Sequence, residues 1–273
     1  MDNPLKRYFR RPSLYFKLPS LGKLYDSSVV DMPPNQELPV YPMTANDEII
    51  VRNPDALFNG AAMVELIKSC MPNIKDPWKI NSIDFDAILI AIRAASVGNQ
   101  MEIESKCPSC SETGTYGVNL VALLSKQVNI NYDETLKIRE LEIKFRPLVY
   151  SELNQNQLDQ NEIQRMLAAL EDYDNSPEQQ KMMTEAVNRM NKLVIDTVAS
   201  TIEYIKTPET VVTEQDFILE FMNGCDKQTS TTIREHSLKL KEANEIPPMN
   251  VKCIHCSHDY TNRVILNSSD FFE

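Results

Sequence analysis

Residues 103–120 read IESKCPSCSETGTYGVNL, and residues 251–273 read VKCIHCSHDYTNRVILNSSDFFE. Each stretch holds a Cys-x-x-Cys turn, Cys107 with Cys110 and Cys253 with Cys256. The chain has six cysteines, so two like-spaced pairs take all but Cys70 and Cys225. A Cys-x-x-Cys turn holds two sulfurs about one coordination span apart. Two such turns supply the four sulfurs of a tetrahedral zinc site, each about 2.3 Å from the ion. Both pairs sit between short β-like runs: MEIESK and TYGVNL around the first, PPMNVK and YTNRVIL around the second. Strand, knuckle, strand, repeated twice, predicts a zinc ribbon with Cys107, Cys110, Cys253 and Cys256 as ligands to one structural Zn2+. About half of the chain lies between the two pairs, so the intervening helices form an insertion. The ion would then close a long loop.

Two other readings of the cysteines compete, a redox pair and unligated thiols. A thioredoxin-like pair opens a helix after a strand, whereas CPSCSETGTYG offers a turn and β composition. His255 and His258 flank the second pair and could replace a cysteine; four sulfurs are favoured, with the histidines as bystanders. Cys70 and Cys225 have no partner at ligand spacing and are expected to be small buried hydrophobes. A closed four-thiolate site leaves no open position for water, which marks it as structural rather than catalytic.

The rest of the composition fits a non-enzyme. The 273 residues suffice for one large or two small domains with a hydrophobic core. The 6 glycines are not clustered as a phosphate-binding loop or dinucleotide fingerprint requires. With 3 histidines and no HExxH or Gly-x-Ser-x-Gly, the catalytic inventory is thin. A net charge of −11 argues against unspecific nucleic-acid binding by the body of the chain. No apolar run of about 18 residues suits a membrane span, and the first residues lack the apolar run of a signal peptide. The expected setting is a reducing cytosol, where paired cysteines favour metal over disulfide.

Residues 1–45 read as an extended basic and aromatic arm with a proline-rich connector. Arg7, Tyr8, Phe9, Arg10, Arg11, Tyr15 and Phe16 interleave charge with rings. They could bind nucleic acid, dock on an acidic protein, or cover the chain's own core. Residues 46–106 read as a helical block. Asn53 is a candidate N-cap with Pro54 at the first helical position, and one helix is expected through NPDALFNGAAMVELIKSC. A second begins near Ser82, is apolar enough for the core, and ends at Gly98. Residues 107–150 and 251–273 are assigned to the ribbon and adjoining strands, and residues 151–250 to the helical insertion. Its clearest helix is SPEQQKMMTEAVNRMNKLVIDTVASTIEYIK, capped by Ser176. Met183, Val187, Met190, Val194, Val198 and Ile202 form its stripe, expected in the core, with an adaptable partner surface as the alternative. Two shorter helices follow, one capped by Thr213 and one over TSTTIREHSLKLKEAN. The fold class is α+β, mostly α: two helical blocks joined by a small β zinc ribbon, with an extended N-terminal arm.

The order of LYFKLPSLGKLY, YPMTANDEIIVRNPDALFNG, SIDFDAILIAIRAASVGNQMEIESKCPSC, KFRPLVY and CIHCSHDYTNRVILNSSDFF resembles the baseplate hub assembly proteins of T-even-type contractile-tailed bacteriophages. The paired cysteine knuckles and the DFF of residues 270–272 are the most specific parts of the likeness. The resemblance implies a non-enzymatic assembly factor, a chaperone or scaffold, in the host cytoplasm during virus assembly, with phage hub and tail proteins as partners. It implies that the four cysteines occupy zinc-ribbon positions. The arm and the middle helices would carry partner binding, with Phe271 and Phe272 as a further contact. A structural subunit of the hub, located in the virion baseplate, is the first alternative, and a nucleic-acid-binding zinc-ribbon protein the second. Neither membrane nor nucleic acid is expected as a partner.

Overall fold

The computed structural model describes residues 3–126, 131–169, 177–245 and 247–262. The chain divides into two compact units, Met1–Ile130 with Glu245–Glu273, and Asn131–Asn244. About 49% of the described residues are helical and 20% are in strands, so the fold is α+β with helix predominant.

The first unit opens with a 3-10 turn, Pro4–Tyr8. Strand β1 (Leu14–Phe16) pairs antiparallel with β2 (Leu38–Val40), Tyr15 opposite Pro39. Helix α1 (Ala45–Val51) starts with a capping box in which Thr44 and Asp47 satisfy each other's backbone N–H groups. The single helix expected over 53–70 is two. Asn53 does cap α2 (Pro54–Phe58), accepting from Asp55 N and Ala56 N. The chain then turns at Asn59–Gly60, where Gly60 takes φ +79, and restarts as α3 (Ala61–Cys70). That left-handed angle suits glycine and breaks the α ladder. Asn81, one residue before the expected start, caps α4 (Ser82–Ser96). This helix is buried nearly all round: Ile83, Phe85, Ala87, Ile88, Leu89, Ile90, Ala91, Ile92 and Ala94 are all in the core with Leu66, Ile67 and Met71. Each such Leu or Ile stabilises the unit by about 1.5–3 kcal/mol.

The arm is anchored on this core. Phe16 and Leu18 are buried. Arg10 donates to the Pro42 carbonyl (2.7 Å), Asp47 Oδ2 (3.2 Å), the Ser69 carbonyl (2.7 Å) and Ser69 Oγ (2.8 Å). A second anchor follows β1. Ser20 N donates to Asp84 Oδ1 (2.9 Å), and the Ser20 and Tyr25 hydroxyls both donate to Asp84 Oδ2, Tyr25 at 2.6 Å. Asn81 Nδ2 adds a further bond at 2.8 Å. Burial pushes the Asp84 carboxyl above the usual carboxylate range, against the pull of the Ser20, Tyr25 and Asn81 hydrogen bonds. Beyond α4, β3 (Gln100–Lys106) and β4 (Thr113–Asn119) form an antiparallel hairpin, and α5 (Leu120–Ser125) follows.

The second unit is α+β as well. Strands β5 (Thr135–Ile138) and β6 (Leu141–Phe145) lead into helices α6 (Tyr150–Ala168) and α7 (Pro177–Ser200). After them come β7 (Ile202–Lys206), β8 (Val211–Val212), α8 (Gln215–Gly224) and α9 (Lys227–Asn244). The sheet order is β5-β6-β7-β8, antiparallel throughout. Three sequence expectations change here. Residues 131–150, grouped by sequence with the ribbon, lie in this unit, because β6 pairs with β7 (Ile143 opposite Ile205). The long helix stops at Ser200 instead of running through IEYIK, which pairs with β6 as β7 and puts Ile202 and Ile205 in the core. Glu214, not Thr213, is the cap of α8. Ser176, the expected cap of α7, lies outside the described residues. The core gathers Ile143, Phe145, Ala199, Ile202, Ile205, Ile218, Met222 and Ile233. The ends of the unit meet: Asn131 N donates to Asn244 Oδ1 at 2.9 Å, and Asn244 Nδ2 reaches the Asn131 carbonyl at 3.5 Å. The chain then returns to the first unit as the antiparallel hairpin β9 (Met249–Lys252) and β10 (Asp259–Asn262).

Candidate metal centre

Each cysteine pair occupies the turn of its hairpin, and the two turns have the same backbone design. In the first, Ser111 N donates to the Cys107 carbonyl and Cys107 N to the Glu112 carbonyl, both at 2.9 Å. In the second, Ser257 N donates to the Cys253 carbonyl and Cys253 N to the His258 carbonyl, again both at 2.9 Å. The serine after each second cysteine takes a left-handed angle, φ 62 at Ser111 and φ 61 at Ser257. A non-glycine residue is strained there, and its recurrence at matching positions shows that the knuckle geometry imposes it. His255 N points at Cys253 Sγ (3.4 Å), an N–H donor to sulfur.

The turns bring all four sulfurs within 4.8 Å of one another. Cys107 Sγ lies 3.7 Å from Cys256 Sγ, and Cys110 Sγ lies 3.7 Å from Cys253 Sγ. A tetrahedron with metal–sulfur bonds of about 2.3 Å has an edge of about 3.8 Å. The spacing is far beyond a disulfide bond of about 2.05 Å, and all six cysteines are free. The donor set and its edges therefore fit a tetrahedral metal ion, and the four cysteines can hold one. Cys107 and Cys253 are 1% and 3% exposed, while Cys256 is open to solvent. Backbone N–H groups of Cys256 and His255 draw the Cys253 thiol down to about 6, helped by the sulfurs of Cys256 and Cys107. The Glu112 backbone lowers Cys110, but burial and the three neighbouring sulfurs outweigh it and drive that thiol up to about 12. Four sulfurs this close repel one another as thiolates, an electrostatic demand that a dication meets.

The histidines stand outside the cluster. A ring nitrogen of His255 lies 3.4 Å from the Thr113 carbonyl, and the His258 ring stacks on Tyr260. Sequence reasoning missed the polar link between the hairpins. Tyr260 Oη donates to Ser105 Oγ (3.0 Å) and meets Tyr116 Oη at 3.5 Å. No local sequence signal pairs these residues. Cys70 is buried, as expected, and its thiol is pushed up to about 12 chiefly by burial; Cys225 is only partly buried.

The arm residues named as partner contacts divide. Tyr8, Phe9 and Tyr15 are large exposed hydrophobics, and Arg11 is exposed. Phe16 is core and Arg10 is held by internal hydrogen bonds to Pro42, Asp47, Ser69 and Cys70, so neither is presented to a partner. Arg7 lies in the first turn, its side chain outside the described residues, as are Phe271 and Phe272. The stripe of α7 also departs from expectation. Met183, Val187, Met190 and Val194 are 51%, 41%, 47% and 39% exposed. Among the described residues no helix is long and apolar enough to cross a membrane.

Fold and site thus define a two-unit α+β protein whose first unit carries a paired-knuckle, four-cysteine centre. The model of a family described as T4 bacteriophage base plate protein matches residues 14–273. The chain belongs to that family, which associates it with the baseplate of T4-type phages and with other baseplate or tail proteins. No curated protein and no solved structure matches it.

Proposed function

We propose that this chain is a non-enzymatic assembly factor of the phage baseplate hub, with zinc in its four-cysteine centre as a structural ion. Family membership sets the context, and the uncovered stripe of α7 is the observation that carries the role. Met183, Val187, Met190 and Val194 follow a 4-3-4 spacing on one face, the pattern of a helix that packs against another helix. A soluble chain exposes such a row for a partner, and methionine adapts to irregular partner surfaces. Exposed Tyr8, Phe9 and Tyr15 give a second candidate contact. Zinc is favoured for the centre because four thiolates in a closed tetrahedron suit it and leave no site for catalysis.

On this reading the chain works in the host cytoplasm while the hub is built. The test compares assembling hubs with purified finished tails by quantitative mass spectrometry. An assembly factor co-purifies with hub intermediates and is depleted from finished tails. A fixed stoichiometry in finished tails supports the alternative, a structural subunit of the hub located in the virion.

A further inference from the structure

We propose that the four-cysteine centre is a metal-operated latch for the β9–β10 hairpin: the ion docks the hairpin on the first unit, and loss of the ion releases the hairpin while both cores stay folded. The proposal rests on the metal reading of the four cysteines.

The hairpins that carry the knuckles do not share a sheet; β3–β4 and β9–β10 are separate two-stranded sheets. A lone two-stranded hairpin is marginal in water, so β9–β10 depends on what it docks against. Among its described residues only Val251 and Cys253 are buried; Asn250, Lys252, Ile254, His255 and Thr261 are exposed. Apart from the sulfurs, its polar ties to β3–β4 among the described residues are the Tyr260 bonds to Ser105 and Tyr116, an Ile254 backbone bond to Tyr116, and the His255 contact with Thr113 at 3.4 Å. One buried valine and a few part-buried or exposed hydrogen bonds are a weak hold. Thiols add little, because sulfur is a poor donor and acceptor. The metal bonds are therefore the principal attachment.

Everything else is held without them. The core around α3 and α4 is built from Leu66, Ile67, Ile88 and Ile90, none of which belongs to a knuckle. The second unit closes on its own ends through Asn131 and Asn244. The inserted segment thus needs no ion to bring its termini together, and the effect of the metal stays local.

The experiment uses the full chain, purified under reducing conditions. Native mass spectrometry first counts the ions per chain. Hydrogen–deuterium exchange then compares the loaded chain with one stripped by a chelator. We expect one ion per chain. On stripping, exchange should rise about tenfold or more across residues 249–262 and at the first knuckle, and stay unchanged in α3, α4 and α7. The double variant Cys253→Ser, Cys256→Ser should reproduce that pattern with no chelator. An ion that leaves without altering protection of 249–262 overturns the latch, and so does loss of protection that spreads through α3 and α4. Absence of any bound ion overturns the metal reading itself, a separate result in the first measurement.

Discussion

Helices α4 and α7 each carry an apolar stripe at helical spacing, yet they end in opposite environments. Around α4 the chain wraps β1, β2, α3 and α5, and Ile88, Ile90 and Ile92 are fully buried. On α7 the C-terminal end reaches the core of the second unit, where Ala199 is buried and Ile195 and Val198 pack at its margin, and Ala186 is buried in the middle of the helix. The row from Met183 to Val194 stays open to solvent. The two helices also differ in their charged residues. Helix α4 buries Asp84 near its start and Arg93 near its end, whereas α7 carries exposed charges along its length and makes the Glu185–Arg189 and Arg189–Glu162 ion pairs. Periodicity says which side chains share a face; it does not say whether anything faces them.

The comparison breaks most readily at α4. Ile90→Ala should cost about 2–5 kcal/mol in the unfolding of the first unit, read by denaturant titration. A loss under about 1 kcal/mol would mean that α4 is not the central helix. Arg10→Ala should cost about 1.5–3 kcal/mol, since it leaves the buried Asp47 without its cation. Burial pushes the Asp47 carboxyl up, but the Thr44 N–H, the Ser69 and Thr44 hydroxyls and Arg10 bring it below its ordinary value. Stability from this group is present at neutral pH and is lost as pH falls through the lowered value. The variant should therefore be less sensitive to acid than the parent.

A smaller effect separates the second unit. His236 packs against Phe145 with ring centroids 5.0 Å apart, and its Nε2 is buried without a partner among the described residues. Burial lowers its ring below the usual histidine range; Glu134 opposes this and Lys239 adds to it. The unfolded chain protonates first, near pH ~6.5, so this contribution is intact above that pH and is lost on acidification toward the lowered value. His236→Phe should flatten the pH dependence of the second unit's melting between neutral and mildly acid conditions. A slope identical to the parent's would show that His236 does not couple to the fold. The smallest stability effect is expected on the stripe of α7. Met190→Ala should change stability by no more than about 0.5 kcal/mol, while weakening capture of hub proteins if the row is a contact. A large loss of stability at Met190 would show that the row is covered, and would remove the main support for a partner surface there.

Much of the site is legible in the sequence. Two Cys-x-x-Cys pairs in like β settings identify the sulfurs, and the fold brings all four together. Asn53 before Pro54, and the apolar run after Ser82, mark helix starts through capping and periodicity, both of which act over a few residues. IEYIK is not legible as a strand, because its apolar spacing continues the stripe of α7 and only pairing with LEIKF distinguishes the two states. The break at Asn59–Gly60 is hidden for a similar reason: Ala61, Val64 and Ile67 keep helical spacing with Leu57 across it.

Residue order alone shows which residues can ligate a metal, where several helices begin, and that α4 belongs in a core. Each of these follows from side-chain chemistry or from spacing within a few turns. The folded chain is needed to show that the arm is pinned through Arg10, Ser20 and Tyr25, that residues 131–150 belong with the insertion, that Asn131 and Asn244 close it, and that the stripe of α7 is uncovered. Those facts depend on pairs of residues far apart in the chain. A local pattern carries no information about its distant partner, and it is the partner that determines whether a face becomes core or surface.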